Sequence, residues 1–125
     1  MSSSPGGGTA VQEAAGYEDD AEQMAAFLMA SCDPLDPNAA LAFCRDSKAH
    51  FDWLEAQGVP FERSYFGGKA VFLLDTTCLM WTGNEKAWPY REAARPAPRG
   101  HKVAGAGENA GAAGMQPLIQ RCEDE

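Results

Sequence analysis

Residues 36–61 read DPNAALAFCRDSKAHFDWLEAQGVPF, and this stretch carries the strongest local signals in the chain. Asp36 can cap a helix through its carboxylate. Pro37 suits the first helical position, where its missing N–H would be unpaired anyway. Leu41, Cys44, Phe51 and Leu54 recur at helical spacing and predict one buried face, which Lys48 interrupts. Gly58 follows as a stop, because glycine enters the left-handed region without a Cβ penalty. The spacing predicts one long amphipathic helix with a sharp end, around which the rest of the chain packs.

Upstream, residues 19–31 read as a shorter helix. Asp19 and Glu22 resemble a capping box, with Asp in place of Ser or Thr. Met24, Phe27, Leu28 and Ser31 share a face. The link CDPLDP (32–37) is tight and proline-stiffened, so the two helices are expected to form an antiparallel hairpin. Downstream, residues 61–65 and AVFLL (70–74) read as short strands around a Gly67-Gly68 turn, predicting a small β-hairpin. Residues 75–103 read as a long irregular loop with one helical turn at 90–94. Residues 111–122 read as a last helix, with Met115, Leu118, Ile119 and Cys122 on one face and Pro117 in its first turn. The fold class is therefore α+β: a helical hairpin, a small β-hairpin and a long irregular loop.

At 125 residues, 45% of them hydrophobic, the chain can build one core. Eighteen Asp and Glu against ten Lys and Arg give a net charge of −8. Such a chain repels phosphate backbones and anionic membranes, which argues against nucleic acid as a partner. No run of about 18 apolar residues predicts a membrane span. MSSSPGGG lacks the basic and apolar regions of a signal peptide, so the expected location is cytoplasmic. Cys32, Cys44, Cys78 and Cys122, with His50 and His101, fit no zinc spacing. The thiols are expected to be small buried groups, and no metal site is expected.

Gly6, Gly7, Gly8 and Thr9 allow two readings: a flexible leader, or a loop whose glycines let the backbone touch a ligand. Arg91, Arg95, Arg99, His101 and Lys102 form a basic group beside Trp81, Trp88 and Tyr90. That group either receives an anion or acidic partner, or pairs with surface Asp and Glu. Residues 105–110 match G-x-G-x-x-A. A dinucleotide fingerprint needs a strand immediately before it, and Pro96, Pro98 and Gly100 leave none, so the match is read as chance. No nucleophile elbow, zinc-protease or P-loop motif is present. The residues alone support no complete active site.

GGGTAVQ (6–12), FLMASC (27–32), HFDWLEAQGVPF (50–61) and MWTGNEKAWPYREAARPAPRGHKV (80–103) together resemble another pattern. They look like an internal part of the FAD-dependent oxidoreductases of the fumarate reductase/succinate dehydrogenase flavoprotein family. Within it, the chain is most similar to 3-ketosteroid 1-dehydrogenase-like members. The resemblance implies a Rossmann-like FAD domain interrupted by a cap. Residues 1–18 would be a remnant of the FAD domain, 19–103 the cap or substrate region, and 104–125 a linker and helix leading back. It implies FAD as cofactor, with Gly6, Gly7, Gly8 and Thr9 near the flavin. Arg99, His101 and Tyr90 become the catalytic candidates.

The implied reaction is oxidation or reduction of a CH–CH group in a small molecule, a 3-ketosteroid or a fumarate-like substrate. The implied partner is a complementing FAD-domain chain, or a second copy. Without the leading G-x-G-x-x-G segment, the isolated chain is expected to be inactive and to hold FAD weakly. Two other expectations compete: a non-catalytic interaction module built on Trp81, Trp88 and the basic loop, and a truncated product with no function.

Overall fold

Helix α3 (Pro37–Ala56) carries the packing of the whole chain. In the computed structural model, which describes residues 3–32, 35–68, 75–81, 83–106 and 110–125, it begins as the sequence predicts. The Asp36 carboxylate accepts from the Asn38 N–H at 3.0 Å, and Pro37 occupies the first turn. The helix ends in a Schellman turn. Gly58 takes φ +97°, its N–H donates to Glu55 O, and the Val59 N–H donates to Leu54 O. The buried face is Ala40, Cys44, Ser47 and Phe51. It keeps Cys44 and Phe51 of the predicted stripe but adds Ala40 and Ser47, while Leu41 and Leu54 are only half-buried at its edge. Lys48 therefore does not interrupt the face; it points to solvent and pairs with Asp52 one turn on.

Helix α2 (Ala21–Ser31) packs on α3, which gives the expected helical hairpin. Met24, Ala25 and Cys44 are buried in their contact, with Ala21, Leu28 and Leu41 around them. The cap of α2 is Asp20, not Asp19: its carboxylate accepts from the Gln23 N–H at 2.7 Å. That frees Asp19 for another task.

A four-stranded sheet packs further along the same face of α3, at Phe51. Its order is β1 (Ser3–Pro5), β4 (Gly100–Lys102), β3 (Leu79–Met80), β2 (Tyr65–Phe66). β4 is antiparallel to both neighbours, with Ser4 opposite His101 and His101 opposite Leu79. β2 and β3 run parallel, Tyr65 opposite Leu79. Val11, Phe51 and Leu79 form the core beneath this sheet, joined by Phe61 and Tyr65. One helix thus serves two cores, Cys44 facing α2 and Phe51 facing the sheet.

Several expectations change here. The leader is not featureless: residues 3–5 are a sheet strand, and α1 (Ala10–Ala14) follows the glycines. The expected loop at 75–103 contains β3, β4 and α4 (Tyr90–Ala93), so only its helical turn matches the prediction. The second arm of the expected hairpin, residues 70–74, lies outside the described residues. The end of the first arm, β2, pairs in parallel with β3. Helix α5 (Ala110–Asp124) continues through Pro117, which sits inside it rather than in its first turn.

Gly58→Ala places a Cβ on a left-handed backbone at the end of α3. It is expected to lower unfolding stability by about 1–2 kcal/mol, measured by chemical denaturation.

Candidate functional site

The residues that the sequence marked for function meet in one buried polar circuit. The Arg99 guanidinium grips both oxygens of Asp19, Nε to Oδ2 at 2.8 Å and Nη2 to Oδ1 at 2.9 Å. These side chains are 3% and 0% exposed. Asp19 Oδ2 also accepts from Gln12 Nε2 at 3.0 Å, and the same amide reaches Pro98 O. Gln12 Oε1 accepts the Gly8 and Thr9 N–H groups. The Thr9 hydroxyl accepts the Gln12 N–H and lies 2.6 Å from His101 Nε2. His101 Nδ1 lies 3.0 Å from Arg99 O. A carbonyl only accepts, so Nδ1 carries the proton; the Thr9 hydroxyl lies within reach of both His101 Nε2 and Gln12 Oε1. The circuit begins and ends at Arg99.

Gln12 was missed in the sequence, although its signal is plain. Thr9-Ala10-Val11-Gln12 is a capping box, and both of its reciprocal bonds form at the start of α1.

Gly6, Gly7 and Thr9 are buried, and every N–H from residue 6 to residue 9 is already used. Gly6 donates to Arg99 O, Gly7 to Ser47 Oγ, and Gly8 and Thr9 to Gln12. The glycines answer to the chain's own packing. A Cβ at Gly6 would lie 2.7 Å from Thr9 Cγ2 and 3.0 Å from His101 Cε1, and one at Gly7 would lie 3.0 Å from Asp20 O. A phosphate cradle needs free N–H donors, and this loop has none to give.

The G-x-G-x-x-A match has more context than its neighbouring prolines suggest. β4 does precede it and α5 follows, and a Cβ on Gly105 would lie 2.9 Å from Ala110 Cα. Residues 107–109 lie outside the described residues. The fingerprint, however, opens a parallel strand–helix–strand unit, and β4 is antiparallel to both of its neighbours. The match is not a dinucleotide turn. The described residues thus do not form a cradle for the FAD pyrophosphate.

The basic group is dispersed rather than gathered. Lys102 is fully buried, and its ammonium donates to Asp75 O, Val103 O and Gly105 O at 2.6–3.2 Å. Arg95 donates to Glu18 O, and Arg91 sits beside Glu92 on the surface. Tyr90 does not join Arg99 directly. Its ring meets the edge of Phe27, and the Arg99 guanidinium lies over that same ring, 5.5 Å from its centre. Arg99 also lines a cleft of about 330 Å³ with Met24, Phe27, Leu28, Ser31, Cys32 and Asn84.

A second cluster joins Tyr17, Tyr65 and Trp81. The two hydroxyls are 3.0 Å apart, and Trp81 Nε1 donates to Tyr65 Oη at 2.7 Å. The hydrogen bond with Tyr65, helped by burial, pushes the Tyr17 phenol up to about 12. Lys86 covers the Trp81 ring, 4.1 Å from its centre. Burial pushes the Cys44 and Cys78 thiols up, which makes them poor nucleophiles. All four cysteines are free, Cys32 and Cys122 at the surface. Among the described residues, no three His, Cys, Asp or Glu side chains gather to hold a metal ion, and no helix is long and apolar enough to cross a membrane.

With this geometry in hand, the comparisons are direct. The family model described as FAD binding domain matches residues 2–122. The chain belongs to this FAD-binding family. A curated relative, 3-oxo-5-alpha-steroid 4-dehydrogenase of Comamonas testosteroni, is 34% identical over 92 residues, 70% of this chain and 17% of the relative. A solved relative is the 3-ketosteroid-delta4-(5alpha)-dehydrogenase of Rhodococcus jostii, in complex with 4-androstene-3,17-dione. It is 36% identical with a TM-score of 0.89, over 96% of this chain and 26% of that one. The chain therefore spans about a quarter of the solved relative and less of the curated one. FAD as the family's cofactor and likeness to steroid dehydrogenases are as the resemblance implied.

Two outcomes check this geometry. Arg99→Met strands the Asp19 carboxylate in the interior and is expected to cost about 3–5 kcal/mol in denaturant unfolding. Lys48→Ala, which breaks an exposed pair, is expected to leave the denaturation midpoint nearly unchanged. The Tyr17 phenol gives a pH signature. Its folded pKa lies above its unfolded one, so its contribution to stability is complete below pH about 10 and fades as pH rises to about 12. An alkaline ultraviolet titration is expected to show one late tyrosine, and Tyr65→Phe is expected to bring it back toward its ordinary value.

Proposed function

We infer that this chain works as part of an FAD-dependent oxidoreductase that acts on a carbon–carbon bond of a ketosteroid-like substrate. The observation that carries this reading is the match to a 3-ketosteroid dehydrogenase across 96% of the chain at 36% identity. At that identity the likeness extends beyond fold alone. The chain's own contribution is architectural. Gly6, Gly7, Gly8 and Thr9 act as a buried clasp that holds β4, rather than as donors to the cofactor. Arg99 and His101 are positioning residues: Arg99 Nε and Nη2 and both His101 ring nitrogens are engaged with Asp19, Thr9 and the backbone. Tyr90 steadies the Phe27 ring between itself and Arg99.

The flavin's phosphates would then be held by residues outside those described, in a complementing portion of the flavoprotein. Exposed Phe43, Trp53, Met115 and Ile119 supply apolar surface for such a partner, or for a second copy. Trp88, 71% exposed, is the available indole of the expected interaction pair. Trp81 is spent on Tyr65 and Lys86.

The test is flavin retention. Purified with excess FAD and stripped of free flavin, the chain alone is expected to lack the visible band at about 450 nm. Co-expression with a chain bearing a strand, G-x-G-x-x-G and a helix is expected to restore both the band and ketosteroid oxidation. Stoichiometric flavin on the chain alone would overturn the architectural role. A restored band without any ketosteroid turnover would overturn the substrate class.

A further inference from the structure

Helix α3 turns a second face outward. Phe43 on it is 53% exposed and Trp53 is 52% exposed. Asp46 and His50 stand exposed between them, and Ala39 opens the row. Positions 39, 43, 46, 50 and 53 advance in steps of four, three, four and three, which is the 3.5-residue period of a helix–helix seam. Ala42 and Ala49, also exposed, flank the row and add no bulk beside it. The His50 and Trp53 rings stack with 6.3 Å between centres, which steadies the indole on the seam. Lys48 is turned off the row and pairs with Asp52. The face that α3 buries within the chain is a different one, Ala40, Cys44, Ser47 and Phe51, so internal packing does not account for this spacing.

The row is complementary to itself. Phe43 and Trp53 stand five residues either side of position 48, and Asp46 and His50 stand two either side. A two-fold axis at that level sets an antiparallel copy so that Phe43 meets Trp53 and Asp46 meets His50, each contact made twice. A carboxylate accepts and an imidazole N–H donates, so the central pair is matched. No ion pair or hydrogen bond ties Asp46 to another described residue. A parallel copy would instead set Asp46 against Asp46. We propose that the outward face of α3 binds a second copy of this chain, antiparallel, through Phe43, Asp46, His50 and Trp53. The seam is about 21 Å long, which makes a small interface and a weak dimer. The net charge of −8 on each copy opposes it, but at physiological salt that repulsion is screened beyond about 8 Å. This pairing commits Phe43 and Trp53 to a second copy and uses neither flavin nor substrate, so its failure leaves the oxidoreductase reading in place.

The test is sedimentation velocity on the 125-residue chain in physiological salt, without FAD. Between about 5 and about 500 µM the chain is expected to pass from monomer toward dimer, the range in which small interfaces associate. Trp53→Ala removes two aromatic contacts per dimer and is expected to weaken association at least about tenfold. Asp46→Lys removes the central acceptor twice and is expected to weaken it by a similar factor. Combining Asp46→Lys with His50→Glu reads the register. In the antiparallel dimer each new Lys faces a new Glu, and association is expected to return to within about threefold of the unaltered chain. All these positions are exposed, so circular dichroism is expected to stay native-like. A chain that stays monomeric across the whole range would overturn the dimer. Dimerisation unchanged by Trp53→Ala or Asp46→Lys would put the contact on another face, such as Met115 and Ile119 of α5, and overturn this one. A double variant that associates no better than Asp46→Lys would overturn the antiparallel register.

Discussion

The buried grip of Arg99 on Asp19 is the constraint on which the rest of this structure depends. Both charges have left water, and that desolvation cancels much of their attraction. The pair is therefore a weak source of net stability and a strong source of geometry. A bidentate fork accepts one arrangement of carboxylate and guanidinium and tolerates little drift. Asp19 immediately precedes the cap of α2, and Arg99 immediately precedes β4. Fixing one against the other sets the helical hairpin on the sheet. The Arg99 carbonyl extends the hold, because it receives both the Gly6 N–H and the His101 ring. Side chain and backbone of one residue thus position the start of α2, the glycine turn and the central strand.

The glycine run shows what composition can and cannot specify. Three consecutive glycines mark close approach, and close approach is what the structure shows. What comes close is the chain itself: His101 at Gly6, the entry to α2 at Gly7 and Asp19 O at Gly8. Gly8 also needs its positive φ of 82°. A sequence cannot distinguish a ligand from a distant segment of its own chain, because both ask for a missing Cβ.

Legibility followed the range of the interaction. Asp36, Pro37 and Gly58 act within one helical turn, and the boundaries of α3 could be read from them directly. Cys44 and Phe51 of the stripe are buried as read, but between them Ser47, small and polar, takes a core position by bonding Cys44 O, while Lys48 finds Asp52 outside. Asp19 and Asp20 are equally good caps by chemistry; Arg99, eighty positions away, decides between them. Strands of two and three residues fall below any period, so β1, β3 and β4 left no pattern. Their partners are distant in sequence, and burial on both faces of β4 erases alternation. The family resemblance reached further than the periodicity, because long matched runs carry information that local propensity does not. Even so, it gave the cofactor class and not the roles of residues 6–9.

β4 explains how two of the sequence-marked residues are engaged within the chain. His101 and Lys102 are neighbours on a strand, so they face opposite sides of the sheet. His101 turns toward Thr9 and Phe51, and closes the polar circuit. Lys102 turns the other way and collects three carbonyls where the chain leaves the strand for α5. Those carbonyls sit at a corner that no ladder could satisfy, and a buried ammonium with three donors fits that need. Gly105 then lets α5 begin against the same corner. The two polar residues of this central strand thus each complete a buried network. Arg99 differs in one atom. Its Nη1 has no hydrogen-bond partner among the described residues, yet it is buried as well, in a guanidinium that lies over the Phe27 ring.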